Sequence, residues 1–298
     1  IITMIKGLAI TPPVLGRISI GKIVEKNGKR LPEKDDQFTI TSQIQNKDGW
    51  VKHPLDEQLR EKAQNGKLRT IPVRMIFNEP ELNLRAEYSL FDRQTGRLIC
   101  SGNGETCQRL GQNGIEQHPC PSPDLCPLAQ GGLCKPYGRL YVNLDESDEF
   151  GTFIFRTTGF NSIRTLAARL SYYHAASGNL LSCLPLQLTL RGKSTTQSYR
   201  TPIYYVDLTL RDGTNLQEAI TSAKQIDEQS KAAGFYQEAL DHVARQGYGN
   251  ASFEVGGDEG LDIVEEFYSD QQNAVEVQSD SPSVHQALDD TTGIKQGL

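Results

Sequence analysis

Residues 82–101 read LNLRAEYSLFDRQTGRLICS, and the period of their apolar positions sets the fold class. Leu82, Leu84, Ala86, Tyr88 and Leu90 alternate with Asn83, Arg85, Glu87 and Ser89, the pattern of a half-buried antiparallel strand. DRQTG follows as a turn and RLICS as the returning strand, so a hairpin is expected over 85–101. Strand patterns recur on both sides. TIPVRMIF (70–77), RLYVNL (139–144) and TFIFRTT (152–158) read as strands, and LSCLPLQLTLRG (181–192) with TPIYYVDLTL (201–210) as a second hairpin. Residues 4–69, rich in Lys, Gly and Pro, suggest short strands and irregular loops.

Two helical segments interrupt the strands. FNSIRTLAARLSYYHAAS (160–177) has Asn161 or Ser162 as cap. It places Ile163, Leu166, Ala167, Leu170 and Tyr173 on one face and Arg164, Thr165, Ala168, Arg169 and Tyr172 on the other. From Thr214 apolar stripes continue to Val243 with a break near Gly234, a broken helix or a pair. The expected architecture is α+β: a mainly antiparallel sheet, one helix packed on it, a C-terminal helical arm and an acidic disordered tail. As domains this gives a body over 4–212 with an insert at 100–138, an arm over 213–248 and a tail over 249–298. LDIVEEFY (261–268) stands out in the tail as a candidate partner-binding motif. No run approaches the roughly 18 apolar residues of a membrane span, and nothing near Met4 resembles a signal peptide, so a cytoplasmic protein is expected.

The net charge of −6 conceals an asymmetry. From Ala251 onward eleven acids face Lys295 alone, so residues 1–250 carry 30 basic against 26 acidic side chains. Residues 151–206 contain no Asp or Glu at all, while Arg156, Arg164, Arg169, Arg191, Lys193 and Arg200 fall within them or their flanking loop. Together with Tyr172 these form a candidate nucleic-acid surface; buried strands and a core helix without acids are the plain alternative.

Four of the six cysteines lie in CQRLGQNGIEQHPCPSPDLCPLAQGGLCK, with twelve, five and seven residues between Cys107, Cys120, Cys126 and Cys134. Cytosolic disulfides are disfavoured, and a polar loop with little core of its own needs a clamp. A structural Zn2+ held by Cys107, Cys120, Cys126 and Cys134 is the expectation, with Cys100 or His118 as substitutes; an iron-sulfur cluster or free thiols are the alternatives. Cys183 reads as a buried free thiol in an apolar strand. His53, His242 and His285 read as surface residues. HExxH, GxxxxGK[ST] and GxSxG are all missing, so an enzyme is not expected.

The order of MIKGLAITPP, LICSGNGET, PCPSPDLCPLAQGGLCKPYGRLYV, GTFIFRTTGFNSIRTLAARL, LPLQLTLRGKSTT and IYYVDLTL resembles the phage recombination directionality factors that partner large serine integrases, over residues 4–210. That resemblance implies a non-catalytic accessory protein of a mobile element. It would bind a serine integrase on DNA and direct site-specific recombination toward excision. The same resemblance makes the cysteines at 107, 120, 126 and 134 a zinc-binding insert. Two other classes compete: a single-stranded DNA binding or annealing protein, suited by the acid-free run and its tyrosines, and a zinc-dependent hydrolase, which needs an open metal position.

Overall fold

The computed structural model describes residues 13–26, 29–47, 49–144, 151–194, 196, 199–200, 202–247 and 257–268. The chain divides into two compact units, one of residues 1–86 with 137–249 and one of residues 87–136 with 250–298. The fold is α+β with a mixed sheet and several helices.

In the first unit the strands are β1 (Val14–Lys26), β2 (Lys29–Asn46), β3 (Gly49–Lys52), β4 (Thr70–Met75), β9 (Cys134–Leu144, from Tyr137 on), β10 (Thr152–Thr157), β11 (Leu186–Lys193) and β12 (Ile203–Leu210). They lie in the order β3-β2-β1-β10-β9-β4-β11-β12. All of these pairings are antiparallel except β1 with β10, which is parallel and makes the sheet mixed. Alternate residues of these strands, Phe38 and Ile40, Ile71 and Val73, Leu140 and Val142, Phe153 and Phe155, Leu186 and Leu188, Val206 and Leu208, are buried in one core. Against them pack Leu55 and Leu59 of α1 (Pro54–Lys62), Leu166 and Leu170 of α3 (Phe160–Ser177), and Ala219 and Ala223 of α4 (Leu216–Ala232).

The early segment departs from the expected short strands. β1 and β2 pair along nearly their whole length, and register shifts between Ile20 and Lys22 and between Thr41 and Gln45 break the alternation that would have betrayed them. His53, expected to be a surface residue, caps α1 through Nδ1 and sets its ring edge-on to Phe153 at 5.1 Å. Leu82 and Asn83 belong to the short helix α2 (Pro80–Asn83), so the strand begins at Leu84. Asn83 is wholly buried because its amide replaces backbone partners. Its Oδ1 accepts from Ile76 N and Phe77 N, and its Nδ2 donates to Phe77 O and Glu79 O.

The arm forms two helices that break near Gly234, α4 and α5 (Gln237–Gly247). Asp241 fastens α5 by accepting from Asn78 N at 3.2 Å and Gln237 Nε2 at 2.7 Å, and burial pushes its carboxyl above the usual carboxylate range. Asn78 in turn accepts from Ser182 Oγ at 2.8 Å, and its carbonyl meets His174 Nδ1 at 2.8 Å.

The second unit holds the end of β5 (Leu84–Phe91), β6 (Leu98–Gly102), β7 (Thr106–Gly111) and β8 (Gly114–Pro119), an antiparallel meander. The expected hairpin is present; Asp92 shapes its turn by accepting from Gln94 N and Thr95 N. Most of the acidic tail lies outside the described residues. Within it, however, residues 257–267 form helix α6 (Gly257–Phe267) where disorder was expected. Its apolar side, Ile263, Val264 and Phe267 with Tyr268 just beyond, is buried within the unit. Gly260 permits the approach, since a Cβ there would sit 2.3 Å from Gly96 O.

Candidate functional site

The second unit gathers the cysteines. In the β6–β7 ladder Cys100 faces Arg109 and Gly102 faces Cys107, and in the β7–β8 ladder Cys107 faces His118. Cys100, Cys107, Arg109, Glu116 and His118 therefore share one face of the meander. Gly102 leaves the gap on that face: a Cβ added to it would lie 2.8 Å from both Cys107 Cβ and Cys120 Sγ. Cys126 comes from the loop that follows, and Cys134 opens β9. Burial pushes the Cys134 thiol up to about 12, and Cys100, Cys126, Cys120 and Cys107 each add repulsion. Cys100 rises to about 12 through burial, opposed by a contact from the Arg109 guanidinium and reinforced by Cys107. Five thiols are thus neighbours. With their thiols held so far up, Cys100 and Cys134 stay protonated at neutral pH and are poor nucleophiles.

The zinc clamp expected from the sequence finds no support in the arrangement of its residues. Among the described residues no group of three or more His, Cys, Asp or Glu side chains is placed to hold a metal ion. The thiols adjoin without converging: Cys107 Sγ turns to the Pro119 carbonyl at 3.7 Å and Cys100 is engaged by Arg109. His118, the other substitute, lies 3.2 Å from Glu116 Oε2. Donor chemistry fits a thiophilic divalent cation, and the donors are not drawn together into a ligand set among the described residues. Cys183 is free and buried, in a short 3-10 turn ahead of β11 and not in a strand.

Helix α6 braces this region. The Tyr268 hydroxyl lies 2.8 Å from Leu133 O and 3.1 Å from Phe91 O, Arg93 stacks 4.3 Å over its ring, and Lys135 Nζ donates to Phe267 O at 3.1 Å. Leu133 and Lys135 flank Cys134, so the apolar side of LDIVEEFY is spent within its own chain. Leu261, Glu265 and Glu266 stay exposed.

The first unit carries the basic residues, and their surroundings differ. Arg156 is half-buried in β10 opposite Arg139. Arg164 and Tyr172 are exposed on α3, joined by Phe160 at its start; Phe160 and Tyr172 are each 55% exposed. Arg169 and Arg191 converge on Asp207, at 3.0 and 2.8 Å, which raises the Arg169 guanidinium further. Lys193 donates to Asn161 Oδ1 at 2.7 Å and sits 5.9 Å over the Tyr205 ring. Arg200 is exposed beside Tyr199, which is 93% exposed. Asp207 was the residue missed: it is the first acid after the acid-free run, and it neutralises two of that run's arginines. The expected caps are also used elsewhere, because Ser162 Oγ accepts from Val206 N of β12.

Fold and sites together define an α+β protein with a thiol cluster on a meander and a helix exposing arginine and aromatic side chains. The chain belongs to the Gp3-like family, described as recombination directionality factor-like, whose model matches residues 15–211. That match takes in the thiol cluster and α3 and stops before α4. No curated protein and no solved structure matches it. Among the described residues no helix is long and apolar enough to cross a membrane.

Proposed function

We propose that the protein is a non-catalytic recombination directionality factor that binds a serine integrase on DNA and turns site-specific recombination toward excision. Family membership over residues 15–211 carries this reading. Strand cleavage would stay with the integrase, and the factor would act by preferring one of two integrase conformations. To invert a 1:99 balance it needs about 10⁴-fold preference, about 5.5 kcal/mol. A rigid surface with aromatic and arginine anchors suits that demand, because such side chains dominate binding energy. The exposed side of α3, with Phe160, Arg164 and Tyr172 on an 18-residue helix, is the surface we assign to the integrase. The test is a recombination assay with the integrase of the same element. Adding the protein should promote excision and suppress integration, and Phe160→Ala with Tyr172→Ala should abolish both effects while the protein stays folded. No change in either direction would refute the assignment.

The thiol cluster is proposed to hold one structural zinc in the working protein. A divalent cation is what allows neighbouring buried thiols to ionise together, and four of the five sulfurs suffice. Elemental analysis of the purified protein is expected to give one zinc per chain, and chelation to loosen the meander, read as faster amide exchange in β6–β8. Absence of zinc after metal-replete expression would leave the cluster as packed neutral thiols.

A second reading is favoured by one observation, the exposed Tyr199 beside the exposed Arg200 in the loop that joins β11 to β12: single-stranded DNA binding by stacking and charge. Tight, salt-sensitive, sequence-indifferent binding without integrase would select it.

A further inference from the structure

β8 ends the meander and, among the described strands, pairs with β7 alone. All six of its residues are exposed or half-exposed, with Ile115 at 49%. Edge strands are usually blunted by lysines, bulges or inward charges. β8 has none of these until Pro119 at its end, and its side chains carry a different order.

Gly111 and Gly114 close the β7–β8 hairpin around Gln112 and Asn113. A two-residue hairpin bonds its closing pair and every second pair beyond it. The backbone groups of Glu116 and His118 are therefore turned to Arg109 and Cys107 of β7, and those of Ile115 and Gln117 are turned outward. The outward edge reads G-I-E-Q-H-P. Laid antiparallel on itself about Gln117, it matches at every step: Gln117 against the partner's Gln117, Glu116 against the partner's His118, Ile115 against the partner's Pro119. The central pair exchanges two backbone hydrogen bonds. Glu116 and His118 already lie on one face, 3.2 Å apart within the chain. Two-fold pairing would give each a second carboxylate–imidazole contact on that face, at the closer non-hydrogen-bonded spacing. On the other face Ile115, beside the 40% exposed Leu110 across the hairpin, would be covered by a proline ring.

We propose that β8 is a self-pairing edge through which two copies of this chain associate, doubling the meander across a two-fold axis. Closed two-fold contacts are the commonest way for identical chains to join. The contact is short, so the dimer is weak and concentration-dependent. The proposal does not depend on the recombination reading.

Sedimentation velocity of the full chain across the micromolar range tests it. The wild-type protein is expected to shift from monomer to dimer as concentration rises. Gln117→Pro removes the central donor while suiting an edge strand, and should stay monomeric. Glu116→Lys and His118→Glu should each weaken association by about tenfold, since each replaces two attractive cross-strand pairs. An equimolar mixture of those two variants should associate again, because lysine then faces glutamate and histidine faces glutamate across the new axis. That rescue shows both variants to be folded. A wild-type protein that is monomeric throughout, a Gln117→Pro variant that dimerises like wild type, or a mixture that fails to associate would each overturn the proposal.

Discussion

Asp56→Ala is expected to lower the unfolding free energy by about 3–5 kcal/mol, the range for removing one partner from a buried charged pair. Asp56 sits in the first turn of α1 yet is only 1% exposed, because it serves the sheet as much as the helix. Oδ1 accepts from Ile40 N of β2 at 2.8 Å, and Oδ2 accepts from Arg60 Nε at 2.7 Å. Arg60 extends the link, donating to Phe38 O and Gln37 Oε1, each at 2.6 Å. Phe38 and Ile40 are fully buried members of the main core, so one carboxylate fixes where α1 meets β2. Alanine would strand the Ile40 amide and leave Arg60 without its counter-charge in a place with little water. Asp56→Asn keeps an acceptor for Ile40 N but loses the charge, and should cost about half as much. Urea unfolding of the three proteins decides this. Equal losses for Ala and Asn would mean that the charge, and not the backbone acceptor, is what matters; a loss below about 1 kcal/mol for alanine would place the contact among ordinary surface pairs.

What the sequence revealed follows from which forces are local. Helix α3 could be bounded from its residue spacing because helical contacts span three or four positions. Its cap could not, since Ser162 and Asn161 turn to Val206 and Lys193, partners supplied by β12 and β11. The hairpin after Leu84 was legible, but its faces were not. Ala86 is exposed and Ser89 is 1% exposed, because burial there depends on which strands the hairpin meets. β1 and β2 read as short strands because bulges reset a period of two. The cysteines announced a cluster by composition alone, and Cys100 joins it through strand pairing with β7 that no spacing rule contains. Helix α6 looked like tail because its acids dominate its composition, while Gly260, Ile263, Val264, Phe267 and Tyr268 supply a docking face.

Asp207→Asn should tighten nonspecific DNA binding and weaken the fold in the same molecule. The acid-free run of residues 151–206 reads as a phosphate-facing surface only if its cations are available. Two of them are not. Thr189 faces Asp207 in the β11–β12 register, so Arg191 reaches the carboxylate on the diagonal while Arg169 meets it from α3. The carboxylate is almost wholly buried and also accepts from Leu208 N, whereas both arginine side chains are 49% exposed. Exposure of the arginines makes the pairing cheaper to lose than a sealed one, about 1–3 kcal/mol. It also means that the released guanidinium groups can turn outward. If both then neutralise phosphates, the slope of log affinity against log salt should steepen by roughly 1–2 and affinity at low salt should rise about tenfold or more. Fluorescence anisotropy with a labelled duplex at several salt concentrations reads both quantities, and urea unfolding reads the stability. A steeper slope would show Asp207 to be the residue that withholds this face from DNA, leaving Arg164 and the aromatic side chains of α3 for a protein partner. An unchanged slope with reduced stability would show that the two arginines stay turned inward and serve only the junction of α3 with the β11–β12 hairpin.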